Sequence, residues 1–389
     1  MSIRYGGRFA GVMTWLLVQA ATPVGAAPLS PKGSSTDEHF FPLAVWLQSP
    51  RNAERYKELG INTYVALWRG PTDEQLGALD KAGLHVICGQ NGSALKFRDR
   101  DTIIGWMHGD EPDNAQSLGR GKGYGPPIAP EKVVEDYQQI KAADPDRPVL
   151  LNLGQGVAFD NYIGRGVRRN HPEDYPRYLE ACDIASFDIY PVVHDHPEVA
   201  GKLWHVGRGV QRLAEWTGGK KPVWCCIETT HIDNPQKMPT PSQVRSEVWM
   251  AIVHGATGII YFCHEFKPHQ LEAGLLEYPE MARGVKAVNE QIKELAPVIN
   301  SQTIKDGVRV ASAEPEVPVA AMCKRHGGAV YVFAVSMREA PTTASFTIPG
   351  ATANSIVEVL GEGRTIDGKA GTFPDKFDGY AVHLYRVGG

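Results

Sequence analysis

From residue 41 to about residue 300, short apolar runs alternate with longer stretches whose apolar residues recur every three or four positions, the grammar of parallel strands joined by crossover helices. Eight runs predict strands: 41–48, 61–69, 84–90, 104–111, 148–154, 184–191, 222–228 and 258–265. Between them Val133, Tyr137 and Ile140, or Val244, Val248 and Ile252, keep helical spacing, and Met281, Val285, Val288, Ile292 and Leu295 mark a strong final helix. Pro130 and Pro241 fall near helix starts, where a missing N–H is harmless. Eightfold alternation over roughly 260 residues predicts a (β/α)8 barrel. A doubly wound open sheet is the alternative, but no Gly-x-Gly-x-x-Gly follows the first strand and the strand count is large for that fold.

Beyond residue 301 the pattern changes to short alternating runs, 329–335, 343–348, 355–360 and 380–387, punctuated by Gly, Pro and Asn. They predict a small antiparallel β-sandwich packed on the barrel, more plausibly a stabilising appendage than a sugar-binding module. The expected organisation is therefore a barrel over 39–300 and a sandwich over 301–389. Ahead of them, Arg4 and Arg8, an apolar stretch over 11–21 and the small residues Val24, Gly25 and Ala26 form the layout of an export signal over 1–26. A Ser-, Pro- and Gly-containing leader occupies 27–38. The apolar stretch is short for a bilayer span, so the sequence points to a secreted or periplasmic protein without a membrane anchor.

Composition narrows the function classes. The 389 residues are 42% hydrophobic and 22% charged, with a formal net charge of −4 from dispersed signs. That is an ordinary globular balance without the basic field that non-specific nucleic-acid binding requires. Of six cysteines, Cys88, Cys225, Cys226 and Cys263 fall inside expected buried strands, which favours core packing over a disulfide framework, and zinc-ligand spacing is absent.

The candidate chemistry lies where strands end. Glu111 closes the run Gly-Trp-Met-His-Gly-Asp-Glu-Pro-Asp over 105–113, at the fourth strand; Glu228 closes Lys-Pro-Val-Trp-Cys-Cys-Ile-Glu-Thr over 221–229, at the seventh. Barrels of this type work at the C-terminal ends of their strands. Two carboxyls facing each other there can break a glycosidic bond, one protonating the leaving oxygen and the other attacking the anomeric carbon. Glu111 as acid needs a raised pKa, from apolar surroundings or from the charge of Glu228, while Glu228 must stay ionised. A separation of about 5–5.5 Å predicts retention, and roughly 6.5–9.5 Å predicts inversion.

With the strands numbered, residues 41–300 resemble clan A of the retaining glycoside hydrolases, in which a trailing β-sandwich is frequent. The resemblance implies Glu111 as acid/base, Glu228 as nucleophile and Tyr190, in the run Phe-Asp-Ile-Tyr-Pro over 187–191, as the tyrosine that hydrogen-bonds the nucleophile. Asp188 in the same run is a further candidate for sugar contact. Where the clan has an Asn before the acid/base this chain has Asp110, which cannot donate when ionised and either accepts from a sugar hydroxyl or shares the acid role. At strand eight a Trp platform is replaced by Tyr-Phe-Cys-His-Glu-Phe over 261–266, making Tyr261, His264 and Glu265 candidates for the subsite floor.

Other rim residues have two readings each. Trp46 and Trp68 could stack on pyranose faces or pack in the core. Asn152, and Gln90 or Asn91, offer amides to sugar hydroxyls or anchor loops. Arg69, Arg165, Arg168 and Arg169 suit solvent or, for one or two of them, an acidic sugar. The loops 112–129 and 154–175 should wall a cleft. The expectation is hydrolysis of a β-linked oligosaccharide or polysaccharide by double displacement, needing no cofactor. Two rivals stand: a glycan-binding barrel that lost turnover through Asp110, and metal-assisted hydrolysis using His194, Asp195, His196 and His231, a loop that lacks the further ligands of an independent site.

Overall fold

The computed structural model describes residues 37–351 and 354–388, so the expected export signal over 1–26 and nearly all of the leader lie outside the described residues. Eight strands form the centre: β1 Leu43–Trp46, β2 Thr63–Val65, β3 His85–Cys88, β4 Ile103–Asp110, β5 Val149–Leu153, β6 Ile184–Asp188, β7 Val223–Glu228 and β8 Gly258–Phe262. Each pairs in parallel with the next, and β8 closes on β1 through Leu43 beside Ile259, so the cylinder is complete. Seven of the eight expected runs contain their strand, and β4 begins one residue ahead of the expected 104–111. Helices return the chain outside: α1 Ala53–Glu58, α2 Asp73–Ala82, α3 Gly92–Phe97, α4 Pro130–Ala143, α5 Tyr175–Tyr178, α6 Trp204–Trp216, α7 Pro241–Val253, α8 Gly274–Glu277 and α9 Pro279–Ile299. Thr72 and Thr240 start α2 and α7 with reciprocal capping boxes through Gln75 and Gln243.

Strand alternation sorts the core into two layers. Ala44, Trp46, Val65, Ile87, Leu150, Ile184, Trp224, Cys226 and Ile260 fill the cylinder, while Val45, Tyr64, Val86, Leu151, Phe187, Cys225 and Ile227 pack outward on the helices. Trp224 lies in the interior beside Gly258, where a Cβ would come within 2.6 Å of the indole; the glycine makes room for that ring. All six cysteines are unpaired and buried. Among the described residues, no helix is long and apolar enough to cross a membrane.

The C-terminal region is a two-sheet antiparallel sandwich. One sheet has the order β10 Val319–His326, β11 Ala329–Ser336, β16 Val382–Val387, β13 Ser355–Val359, β14 Arg364–Gly368; the other is β15 Thr372–Phe377, β12 Thr342–Thr347, β9 Arg309–Ser312. Its core is aromatic, with Phe346 stacked on Phe373 at 5.1 Å and edge-on neighbours at Tyr385. The sandwich sits on α7: Trp249 meets Phe333 at 5.2 Å, Ser246 Oγ donates to the Tyr380 carbonyl at 2.7 Å and Arg245 to that of Val382. With the barrel on one side and the sandwich on the other, every residue from Ser246 to Val253 is buried.

Candidate active site

Glu111 follows directly on β4 in a left-handed backbone conformation (φ 45°), a strained state for a residue with a Cβ. Its amide is held by the Asn152 carbonyl at 2.9 Å, so the strained turn is tied to β5. Its carboxyl lies against Gly154, where a Cβ would come within 2.7 Å of the Asn114 amide and 2.9 Å of Glu111 Oε1. A side chain at 154 would displace Glu111.

Around Glu111 the ends of β4, β5 and β6 collect acids. Asp110 is open to solvent and accepts from Asn152 Nδ2 at 3.0 Å; Asn152 in turn takes the Ser186 hydroxyl at 2.9 Å. Asp188 is buried, with Oδ1 lacking any hydrogen-bond donor, and meets the carboxyl of Glu111. Two carboxyl groups in contact can bond only through a shared proton. Burial, and then the charges of Asp110 and Asp113, push Glu111 up to about 7. Burial, then the charge of Glu111 and those of Asp110 and Asp113, hold Asp188 well above the ordinary carboxylate range. The neighbouring charges that raise Glu111 most are thus Asp110 and Asp113, rather than the expected Glu228.

Asp113 is wholly buried and fastens the β4 loop to the β5 loop, accepting from the Gly154 amide at 2.9 Å and the Tyr175 hydroxyl at 3.0 Å. Arg165, buried instead of solvated, donates to the Asp113 carbonyl at 3.2 Å and to Asp174 at 2.9 Å. Arg168 shares Asp174, so both are occupied in loop structure. Tyr162, which the sequence pattern did not single out, feels Glu111, Asp188 and Asp113 strongly enough that burial and these acids raise its phenol.

Glu228 ends β7 but is turned into a different set of contacts. It is fully buried, and its two oxygens accept from the consecutive amides of Val192 (2.6 Å) and Val193 (3.0 Å) in the loop after β6. Beside it stands Glu247 of α7, also fully buried, whose oxygens have no hydrogen-bond partner among the described residues; two enclosed carboxyls that interact this way can bond only if one of them holds a proton. Burial raises both, and Glu228 still reaches about 7 although the two amides, Glu247 and Lys237 pull it back toward its charged form.

The expected bond from Tyr190 to Glu228 is not made. Tyr190 Oη has no partner among the described residues, and the two oxygens of Glu228 are taken by the amides of Val192 and Val193. Tyr190 instead packs on Phe262 at 5.1 Å, which continues to His264 at 5.5 Å.

Other candidates separate by strand parity and by local bonding. Trp46 points into the cylinder and is buried, whereas Trp68 is 58% exposed. Tyr261 faces the helices and donates to Asn289 at 2.7 Å, away from the mouth. Glu265 is fixed by Tyr278 (2.7 Å) and His269 (3.0 Å), which hold it below the usual carboxylate value despite burial. Asn91 caps α3 through the Ala94 amide and bonds Pro71, and Gln90 holds the Ile140 carbonyl, so both anchor loops. His264 lies 3.1 Å from Gln48 at the β1–β8 seam. In the histidine loop, His194 contacts Gln155 and His231 faces the carbonyls of Asn234 and Lys237.

A glycoside hydrolase family model described as beta-galactosidase matches residues 130–296, from α4 into α9, a stretch that includes Glu228 and begins after Glu111. No curated protein matches the chain in sequence at a significant level. Among solved structures the chain is similar to an alpha-amylase from Geobacillus thermoleovorans complexed with acarbose, at TM-score 0.54 and 9% identity, covering 90% of this chain and 99% of that one. It is also similar to a maltogenic alpha-amylase from Thermotoga neapolitana, at TM-score 0.52 and 10% identity, covering 90% and 99%. Likeness at such identities is one of fold. Barrel, sandwich and matched stretch together define a glycoside hydrolase. Its shared features are the cylinder and the stretch from α4 to α9.

Proposed function

We propose that the chain cleaves a β-linked glycan outside the cytoplasm, with Glu111 delivering the proton to the leaving oxygen. The observation that carries this reading is the surroundings of Glu111: a strand-four carboxyl next to the solvent-open Asp110 and raised to about 7 by burial and by like charges, whereas Glu228 is raised to a similar value by burial alone. A group with that pKa holds a proton near neutral pH and can still release it. Glu228 is assigned as nucleophile from its place at the end of β7. The amides of Val192 and Val193 and the nearby Lys237 favour its charged form, while like charges favour the protonated form of Glu111. Double displacement would then proceed through a covalent glycosyl ester on Glu228, with Glu111 returning as base for the attacking water. The matched beta-galactosidase family supports a β-linkage and points to galactosides as first substrates to try. Export rests on the layout of residues 1–26.

The complete burial of Glu228 favours a second reading, in which it buttresses the rim and the solvent-open Asp110 activates water for inversion. The anomeric configuration of the first-formed product, followed by NMR on aryl β-glycosides, separates them. Retention together with loss of turnover in Glu228→Gln supports double displacement; inversion with turnover kept in Glu228→Gln overturns it. If neither β-galactosides nor a panel of β-glucans, mannans and uronic-acid polymers is hydrolysed while one of them binds, the barrel is a glycan-binding protein.

A further inference from the structure

Large exposed apolar side chains are unevenly distributed. Among the described residues there are eight, and only Ile356 lies on the sandwich. Trp68 follows β2 and Phe266 follows β8; the other five, Leu118, Tyr124, Ile128, Ile163 and Val167, lie on the two loops after β4 and β5, with exposures between 37% and 76%. Those loops are one surface. Residues 116–126 form a hairpin closed by Gly125 N to Gln116 O (2.7 Å) and Leu118 N to Gly123 O (3.0 Å), and Ala115 N reaches across to Gly164 O at 2.8 Å. Aliphatic side chains do not stack on sugar rings as aromatic ones do, so a glycan alone does not account for Leu118, Ile163 and Val167.

The acids of the two loops, Asp113, Asp160, Glu173 and Asp174, are all bonded or ion-paired, so the charges left over are cationic. Between residues 114 and 129 the charged residues are Arg120 and Lys122; between 161 and 171 they are Arg165, Arg168 and Arg169. Arg165 and Arg168 are paired with Asp174, while Arg120, Lys122 and Arg169 are exposed without an ion pair among the described residues. The unpaired charges of the rim are thus cations on a chain of net charge −4. Exposed aliphatic and tyrosine side chains interleaved with unpaired cations match the boundary of an anionic bilayer, where acyl chains take the former and headgroups the latter.

We propose that the rim formed by residues 115–129 and 161–171 docks on an anionic lipid surface, placing the mouth of the barrel against the headgroup layer. The hairpin that would insert continues directly from Glu111, so a docked molecule would meet glycans carried on that surface. The docking does not depend on the hydrolytic reading, because it is measured as binding.

The test is co-sedimentation of the full chain with vesicles of phosphatidylcholine alone or with phosphatidylglycerol added. Variants share the same N-terminus, so differences between them report the rim. The expected result is binding that needs phosphatidylglycerol, weakens with salt and falls at least about tenfold in Arg120→Glu/Lys122→Glu, at roughly 1 kcal/mol per basic residue. Leu118→Ser/Val167→Ser should weaken it too, and an unchanged Tm in each variant confirms folding. Binding that ignores the charge reversals overturns the proposal, as does failure to bind anionic vesicles. Concentration-dependent dimers abolished by Leu118→Asp, with no vesicle binding, would assign the face to a second copy of the chain.

Discussion

The ends of β4 and β7 present the same device in opposite settings. At each, a strand-end glutamate interacts with a buried acid that has an oxygen without a donor, Asp188 for Glu111 and Glu247 for Glu228. Around Glu111 the other neighbours are like charges, Asp110 and Asp113, and water reaches Asp110. Around Glu228 they are two backbone amides and Lys237, and water is excluded. Like charges hold a proton on; amides and a cation draw it off. Burial nevertheless raises both glutamates to about 7, so the two settings differ in what surrounds the carboxyl rather than in how far it is shifted.

The sharpest way to break that contrast is at Glu111. Glu111→Gln keeps the shape but cannot donate an acidic proton, and kcat should fall by about 10²–10⁴ on substrates with poor leaving groups. Azide should restore turnover of an activated aryl glycoside in Glu111→Ala, with a β-glycosyl azide as product; absence of both effects would remove Glu111 from the chemistry. Next is Asn152, whose amide serves Asp110 and whose carbonyl serves Ser186. Asn152→Ala leaves a buried hydroxyl without its acceptor, and chemical denaturation should show a loss of about 1–3 kcal/mol.

A smaller effect is expected from pH. These carboxyls are raised in the folded state, so the stability they contribute is complete below the ordinary carboxylate value and is lost as pH rises through the raised one, about 7 for Glu111. Tm should therefore decline between about pH 5 and pH 8. Glu247→Gln, which can donate an amide hydrogen to Glu228 without titrating, should flatten part of that decline and raise stability at the alkaline end by about 1 kcal/mol. A slope unchanged in this variant would mean that Glu228 and Glu247 do not share a proton.

The barrel is legible in the sequence because its strands are enclosed on both faces and read as unbroken apolar runs, as in Val-Trp-Cys-Cys-Ile before Glu228. Half of the sandwich is less so: β15 contains Pro374, Asp375 and Lys376, and β9 is four residues with a half-open face, so neither offers a clear alternation. At the site, Asp110, Asn152 and Asp188 are found beside Glu111 because each ends a strand. Glu247 was missed, since nothing in strand counting points to a helix; the available signal was a lone acid in the otherwise apolar Val-Trp-Met-Ala-Ile-Val stretch of α7. Tyr261 was misplaced by one step of parity, which moved it from the mouth to the helix layer.

The burial of α7 on both sides has a consequence for anyone trimming or recombining this protein. Cutting at the connection after Ile299 would bare Trp249 and the Ser246 hydroxyl and leave the helix that carries Glu247 without its outer support. The C-terminal sheets are in that respect the back wall of the seventh strand, and exchanging them for an unrelated module would be felt at Glu228 before it was felt anywhere else.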